Sequence, residues 1–247
     1  MGAADEDEDD HHDQVDADAQ ALLQYLQARV WGRRMVLPTP PPLPDPMRAG
    51  PDGCVAIGGE LTPALVLEAY GKGIFPMAET DGTLGWWSPD PRTVLELDAV
   101  HVPARLARTV RQGRFEVRVD TAFDEVIAGC ADRRETWISG DFKRVYGQLF
   151  ASGAVHTVET WTQGRLAGGL YGVSLGAAFM AESMFHRETD ASKVAVVALV
   201  ERLRARGFVL CDIQYETNAT KIFRPRRIRR REYLARLRRA VAQPVAF

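Results

Sequence analysis

Three cysteines in 247 residues, Cys54, Cys130 and Cys211, are too few and too far apart for a disulfide framework. No CxxC pair occurs, which excludes a ribbon-type zinc site and a dithiol redox motif. The five histidines, His11, His12, His101, His156 and His186, have no metal-ligand spacing. There is no G-x-x-x-x-G-K-[ST] and no G-x-S-x-G, so P-loop nucleotide chemistry and a hydrolase elbow are both excluded. The longest apolar run in the second half, Val194–Val200, is far too short to span a bilayer. The N-terminus lacks a basic stretch leading into an apolar core, so no secretion signal is read there. The expected compartment is the reducing cytoplasm.

Basic charge is absent from residues 1–20, which hold nine acids and no Lys or Arg. Setting them aside leaves 24 acids against 31 bases, about +7 for the rest of a chain whose formal net charge is −2. A basic body suggests a polyanionic partner. The acidic tail reads either as a disordered solubilising leader or as a mimic competing for the basic face.

Ala21–Val30 reads as a short helix. Leu37–Pro46 (LPTPPPLPDP) excludes helix and central strand and reads as an extended strap. Thr62 followed by Pro63 predicts a capped helix carrying Leu65, Val66 or Leu67, and Tyr70, ending at Gly71 or Gly73. Trp86 and Trp87, before a Ser-Pro-Asp-Pro turn, read either as core or as a stacking wall for a base or an aminoacyl group. From Arg114 the pattern alternates. It gives a strand at Phe115–Val119, then a helix capped by Asp120 or Thr121 that carries Phe123, Val126, Ile127 and Cys130. A helix over Asp141–Ala151 follows, then an antiparallel meander through Ala154–Thr162, Leu166–Val173 and Ala177–Met184. The longest helix runs from Asp190 to about Ala205 and stops at Gly207. It is followed by a strand at Phe208–Ile213 and a closing helix at Glu232–Val241. Glycines 168, 169, 172 and 176 follow no nucleotide-binding fingerprint and read as bulges or turns.

Within this frame Gly168–Gln214 holds the residues with chemistry. Glu182 sits mid-strand in FMAESMF, where an inward carboxylate must be paired or hydrogen-bonded. Its structural role would be an ion pair with Arg187 or Lys193; its functional role would be to anchor a substrate ammonium or accept a proton. Asp212 and Gln214 lie two apart on one strand and so share a face. Beside Glu182 they would form an acceptor-rich patch suited to an amine, where neighbouring carboxylates raise each other's proton affinity. Between Lys221 and Arg239 stand ten basic residues and one acid, Glu232. That is either a solvated basic helix or a clamp for phosphates.

The motifs GGELTPALVLEAYGKGIFP (58–76), WWSPDPR (86–92), FEVRVDTAFDEVIAGCA (115–131), TWI (136–138), VETW (158–161), GGLYGVSLG (168–176), ESMFHR (182–187), DASK (190–193) and DIQ (212–214) occur in order. Together they resemble the bacterial leucyl/phenylalanyl-tRNA–protein transferases over roughly residues 37–216. The resemblance implies an α+β architecture: a GNAT-like acyltransferase domain at 94–247, a small N-terminal α/β domain at 21–93, and an acidic tail at 1–20. It implies transfer of an amino acid from charged tRNA to a protein's N-terminal α-amino group, in the N-end rule route to degradation, by a cytoplasmic monomer needing no cofactor, metal or membrane. Carried over by motif, the catalytic group is Glu182, Asp212 and Gln214. Glu182 would hold the donor's α-amino group, while Asp212 and Gln214 would lie beside the attacking amine and assist its deprotonation. Trp137 would help wall the site. Leu170, Phe179, Met184, Val196, Leu199 and Cys211 would form the apolar donor pocket. The tRNA contacts would come from Lys221, Arg224, Arg226, Arg227, Arg229 and Arg230.

Three departures bear on specificity. Met77 stands where the family usually has Trp after IFP. Ala219 stands where a His is common after DIQ, ahead of the basic segment. Cys211 precedes the Asp. An acidic floor with a basic rim would also suit a related group thought to use arginyl-tRNA and acidic Asp or Glu N-termini. Further alternatives are an acetyl-CoA-dependent acyltransferase, against which the missing Arg/Gln-x-x-Gly-x-Gly loop counts, and a non-catalytic tRNA-binding module.

Overall fold

A computed structural model describes residues 43–79, 81–134 and 136–247. The acidic tail, the helix expected at 21–30 and most of the proline-rich strap lie outside them. The strap's described end closes in a short 3-10 turn, Pro46–Arg48, capped by the Asp45 carboxylate.

The first described unit is a three-stranded antiparallel sheet in the order β1 (Cys54–Ile57), β3 (Leu84–Trp87), β2 (Phe75–Ala78). Helix α1 (Pro63–Gly71) precedes β2 and starts as the sequence predicts. The Thr62 hydroxyl accepts the Leu65 N–H at 3.3 Å, and Pro63 occupies the first turn, where no N–H is needed. Leu65, Val66, Ala69 and Tyr70 are its buried face. Trp86 is core, 2% exposed, with its indole N–H donating to the Gly58 carbonyl. Burial removes it as a stacking surface.

The second sheet has seven strands in the order β10 (Arg226–Ile228), β4 (Arg92–Leu95), β9 (Leu210–Gln214), β8 (Ala178–His186), β7 (Arg165–Leu175), β6 (Val155–Thr162), β5 (Glu116–Val119). The β6–β7–β8 meander is antiparallel, as the alternating pattern indicates. Among the described strands only β8 and β9 pair in parallel, and α5 (Ala191–Arg206) supplies the crossover such a pair requires. Gly207, at φ 83, ends that helix in the left-handed conformation glycine tolerates. Arg92 already belongs to the large sheet, so the change from one sheet to the other falls in the Ser88–Pro91 turn.

Two apolar cores flank the large sheet. On one side α5, Leu199 among its residues, packs with Leu170, Phe179 and Cys211, and on this side lies α2 (Ala104–Arg111). On the other lie α3 (Phe123–Ala131), α4 (Gly140–Ala151) and α6 (Arg230–Val241), continuous with α1 and the small sheet. The two sheets therefore share a core. Helix α3 buries the expected Phe123, Val126, Ile127 and Cys130 but is not capped by Asp120 or Thr121. The carboxylate of Glu159 on the neighbouring strand β6, fully buried, instead holds the turn that leads into the helix. It accepts the Thr121 N–H at 2.9 Å and the Ala122 N–H at 3.1 Å. Asp120 instead accepts the Thr157 N–H, at 2.8 Å. The basic segment after Gln214 is likewise no loose appendage. β10 extends the large sheet along β4, and Ile228 and Tyr233 are buried.

One ion pair ties these layers together. Arg92 on β4 grips Asp212 on β9 with two nitrogens, Nε to Oδ1 at 2.9 Å and Nη2 to Oδ2 at 2.6 Å, both side chains fully buried. The guanidinium lies between the rings of Phe75 on β2 and Tyr233 on α6, 4.7 and 4.5 Å from their centroids. The Tyr233 hydroxyl donates to Asp212 Oδ2 at 2.9 Å. Arg92→Met leaves that carboxylate buried without its cation, and a loss of about 3–5 kcal/mol is expected. Urea unfolding of the variant measures it, and a parental midpoint would show that the pair does not hold the layers.

Candidate active site

Strands β8 and β9 pair only as far as Met180 and Asp212. Two residues further on, Glu182 and Gln214 face each other across the gap where the ladder stops. Each sits on an irregularity. On β8 the register with β7 slips, since Tyr171 pairs with Ser183 but Gly172 with Ala181, leaving Glu182 as the extra residue of a β-bulge. Bulges re-aim a side chain in this way. Gly172 makes the bulge possible, because a Cβ there would run into the Met180 carbonyl and the Phe179 ring. On β9 the register with β4 slips past Ile213, and Gln214 adopts φ 53, a left-handed conformation that few non-glycine residues take. The Asp212 carboxylate holds it there by accepting the Gln214 N–H at 2.9 Å.

Across the gap Gln214 Nε2 donates to Glu182 Oε1 at 3.0 Å. Burial pushes the Glu182 carboxyl up to about 8; hydrogen bonding from Tyr70 and the charge of Arg92 oppose that rise, and the Asp212 charge reinforces it. The Tyr70 and Tyr146 hydroxyls beneath it are 2.7 Å apart and buried. Neither Arg187 nor Lys193 pairs with Glu182. Arg187 donates to the Leu166 carbonyl, and Lys193 to Asp190.

Glu182 and Gln214 open on a cleft of about 660 Å³. Trp137, Leu170, Met184, Val196 and Leu199 line it as expected, joined by Leu95 and Ile213. Phe179 and Cys211 do not. Both are fully buried behind the wall, and Phe179 stacks on Phe247. Asp212 does not reach the cleft either. Its oxygens are taken by Arg92, Tyr233 and the Gln214 N–H, so it has no free face to offer an amine. It positions Gln214. No local pattern in the sequence marks Arg92 as a site residue, although a buried carboxylate at 212 requires a cation from elsewhere and Arg92 closes an aromatic, proline-rich motif. Met77 on β2 and Trp86 and Trp87 on β3 do not line the cleft, whereas Ala219 is in its wall.

The basic segment leaves the cleft wall directly after Thr220. Lys221, Arg224, Arg227 and Arg229 are exposed, with no carboxylate partner among the described residues. Arg226 is exposed but within 3.2 Å of Glu96 and 3.5 Å of Glu232. Arg230 is 6% exposed, so it is not available to a phosphate. Among the described residues no cluster of His, Cys, Asp and Glu could hold a metal ion.

Residues 94–238 match the family described as leucyl/phenylalanyl-tRNA protein transferase, and residues 59–90 match that family's N-terminal domain. A leucyl/phenylalanyl-tRNA–protein transferase of Anaeromyxobacter sp. (strain K) is 50% identical over 213 residues, which is 84% of this chain and 91% of that one. The transferase of Gloeobacter violaceus is 54% identical over 188 residues, covering 76% and 97%. That of Rubrobacter xylanophilus is 50% identical over 188 residues, covering 76% and 98%.

The raised carboxyl has a consequence for stability. Folded, Glu182 keeps its proton to about pH 8, whereas in the unfolded chain it ionises near 4.5. Below about 4.5 both forms carry the proton and this stability is fully present; between the two values folding takes up a proton, so the stability falls as pH rises and is lost once pH passes about 8. Glu182→Gln cannot titrate, so it is expected to lose less stability than the parent between about pH 5 and pH 8.5. Denaturant titrations at the two pH values measure the difference, and equal losses would refute it.

Proposed function

This chain belongs to the leucyl/phenylalanyl-tRNA–protein transferase family, and on that premise we propose how its residues move an amino acid from charged tRNA to the α-amino group of a protein N-terminus. The observation that carries the assignment is the Glu182–Gln214 pair at the head of a mainly apolar cleft. A donor aminoacyl ester has the complementary shape, an ammonium beside an apolar side chain.

Glu182 takes the donor's α-ammonium. Alone, the buried carboxyl keeps its proton near pH 7; a cation arriving against it favours the ionised form and completes the pair. The donor's side chain then lies against Leu170, Met184, Val196 and Leu199, with Trp137 walling the site. The inner wall offers an apolar side chain burial and a guanidinium none, since the carboxylate at the pocket head is committed to the α-ammonium. A buried cation without a partner is strongly disfavoured. This favours leucine or phenylalanine over arginine as the donor residue.

The ester is already activated by its bond to tRNA. What remains is to bring a neutral amine to the carbonyl in the right orientation, an effect worth up to ~7–11 kcal/mol. With an α-amino pKa of about 7.7–8.0, only a minority of acceptor amines are neutral near pH 7. The Gln214 amide oxygen, turned from Glu182 by the Nε2 contact, accepts a hydrogen bond from the attacking amine and orients it; as the amine nitrogen forms the new amide bond, the ester C–O bond breaks and the amine's proton passes to the departing ribose oxygen. Asp212 acts through it by fixing the backbone conformation. Lys221, Arg224, Arg227 and Arg229 receive the tRNA backbone, adjoining the cleft through Thr217–Thr220. Among the described residues no helix is long and apolar enough to cross a membrane. We place the reaction in the cytoplasm, where charged tRNA is found, and its product, a protein bearing a new bulky apolar N-terminus, in the N-end rule route to degradation.

Purified protein offered leucyl-, phenylalanyl-, methionyl- and arginyl-tRNA, with peptides beginning Arg, Lys, Asp or Glu, is expected to transfer leucine and phenylalanine. Glu182→Gln is expected to raise the donor KM about 10–100-fold, the loss of a charge-assisted contact. Transfer of arginine to Asp or Glu peptides, with leucine refused, would overturn the donor assignment.

A further inference from the structure

Beyond Glu182 the cleft changes sign. Arg133, just past the end of α3, reaches over to β8, where its Nη2 donates to the Met184 carbonyl at 2.6 Å and to the Ser183 hydroxyl at 3.0 Å. Both acceptors are neutral. Among the described residues its Nε and Nη1 make no hydrogen bond and no carboxylate stands within ion-pair distance. Arg187 lines the same cleft from the end of β8. It too is held by neutral partners, the Leu166 carbonyl at 3.1 Å and the face of Phe185, 5.3 Å away. Asp132 and His186 also line this end, both exposed and neither within ion-pair distance of either arginine.

A guanidinium pinned by one nitrogen, with the rest of its fork unused, is pre-set for an anion with two oxygens to offer. A ligand lying along β8 must therefore be cationic at Glu182 and anionic beyond Met184. With a strand rise of 3.2–3.4 Å per residue, those points are roughly 7 Å apart. The aminoacyl ester of a terminal ribose has this order, with its ammonium, carbonyl, sugar and 5′-phosphate in sequence. We propose that Arg133, supported by Arg187, forms a subsite for the phosphate on the 5′ side of the donor's terminal nucleotide. This rests on the transferase reading above. The subsite fixes the reacting end of the donor, while the basic segment after Thr220 takes the body of the tRNA. It also separates the donor from any apolar amino-acid ester lacking the phosphate.

Two minimal donors test it: the phenylalanyl ester of adenosine and the phenylalanyl ester of adenosine 5′-monophosphate. The parent enzyme is expected to favour the second in kcat/KM by about 10–100-fold, the scale of a charge-assisted bidentate contact. In Arg133→Gln that ratio falls toward one. Arg133→Lys, which keeps the charge but loses the fork, falls between. Because both donors are run on one preparation, a partly unfolded sample cancels from the ratio. Equal use of the two donors by the parent, or an unchanged ratio in Arg133→Gln, overturns the subsite alone. Failure to transfer from either donor and from charged tRNA overturns the transferase reading and the subsite with it.

Discussion

The buried pair of Arg92 and Asp212 is the constraint on which the rest depends. It joins β4 to β9 inside the large sheet, and through the rings of Phe75 and Tyr233 it adds the small sheet and α6. Taking two charges out of water is costly, and such a pair seldom adds net stability over a well-packed apolar replacement. Its worth lies in geometry. Two nitrogens on a carboxylate, a tyrosine hydroxyl on the same oxygen and a backbone N–H on the other admit one arrangement. That arrangement turns Gln214 into its left-handed conformation and points its side chain at Glu182. The local strain, of order 1–3 kcal/mol at such positions, is held by the pair that makes the site.

The same logic explains why the large sheet is interrupted where it is. An unbroken β8–β9 ladder would be more regular, but it would seal the gap. Ending the pairing at Met180 and Asp212 leaves room between the strands, and the Glu182–Gln214 hydrogen bond spans it. Burial there pushes the carboxyl up to about 8. A cationic ligand therefore meets an acid that ionises in answer to it, and affinity for an ammonium is coupled to desolvation of the cleft.

The sequence reveals the parts governed by periodicity and local chemistry. The Thr62–Pro63 cap, the buried faces of α3 and α4, the β6–β7–β8 meander and the Gly207 stop follow from spacing and from residues next to one another. Glu182 and Gln214 are also legible, as polar residues placed where a strand should be apolar. What is not legible depends on partners distant in sequence. Arg92 and Asp212 are 120 residues apart, so Asp212 reads as a free acid of the site when it is the buried half of a pair. Glu159 holds the turn before a helix that starts almost forty residues earlier. Arg230 looks like its neighbours in a basic run, yet strand β10 and the packing of α6 bury it. Phe179 and Cys211 lie on the right strands, but both are spent on the core behind the wall.

These misreadings share a cause that bears on the chemistry. A pattern of residue types tells which groups a site needs, not which of them faces the ligand. Here one acid, Glu182, is half-buried, lines the cleft and carries a displaced proton equilibrium, while the second is sealed by an arginine. A cleft with two free carboxylates would bind a cation by charge alone and would hold an acceptor amine as its ammonium, the form that cannot attack. Neutralising Asp212 with Arg92 removes that penalty and leaves the amide of Gln214, a neutral acceptor, beside Glu182. On the proposed reading, the ion pair thus lets one site bind a donor ammonium at Glu182 while favouring an uncharged amine beside it.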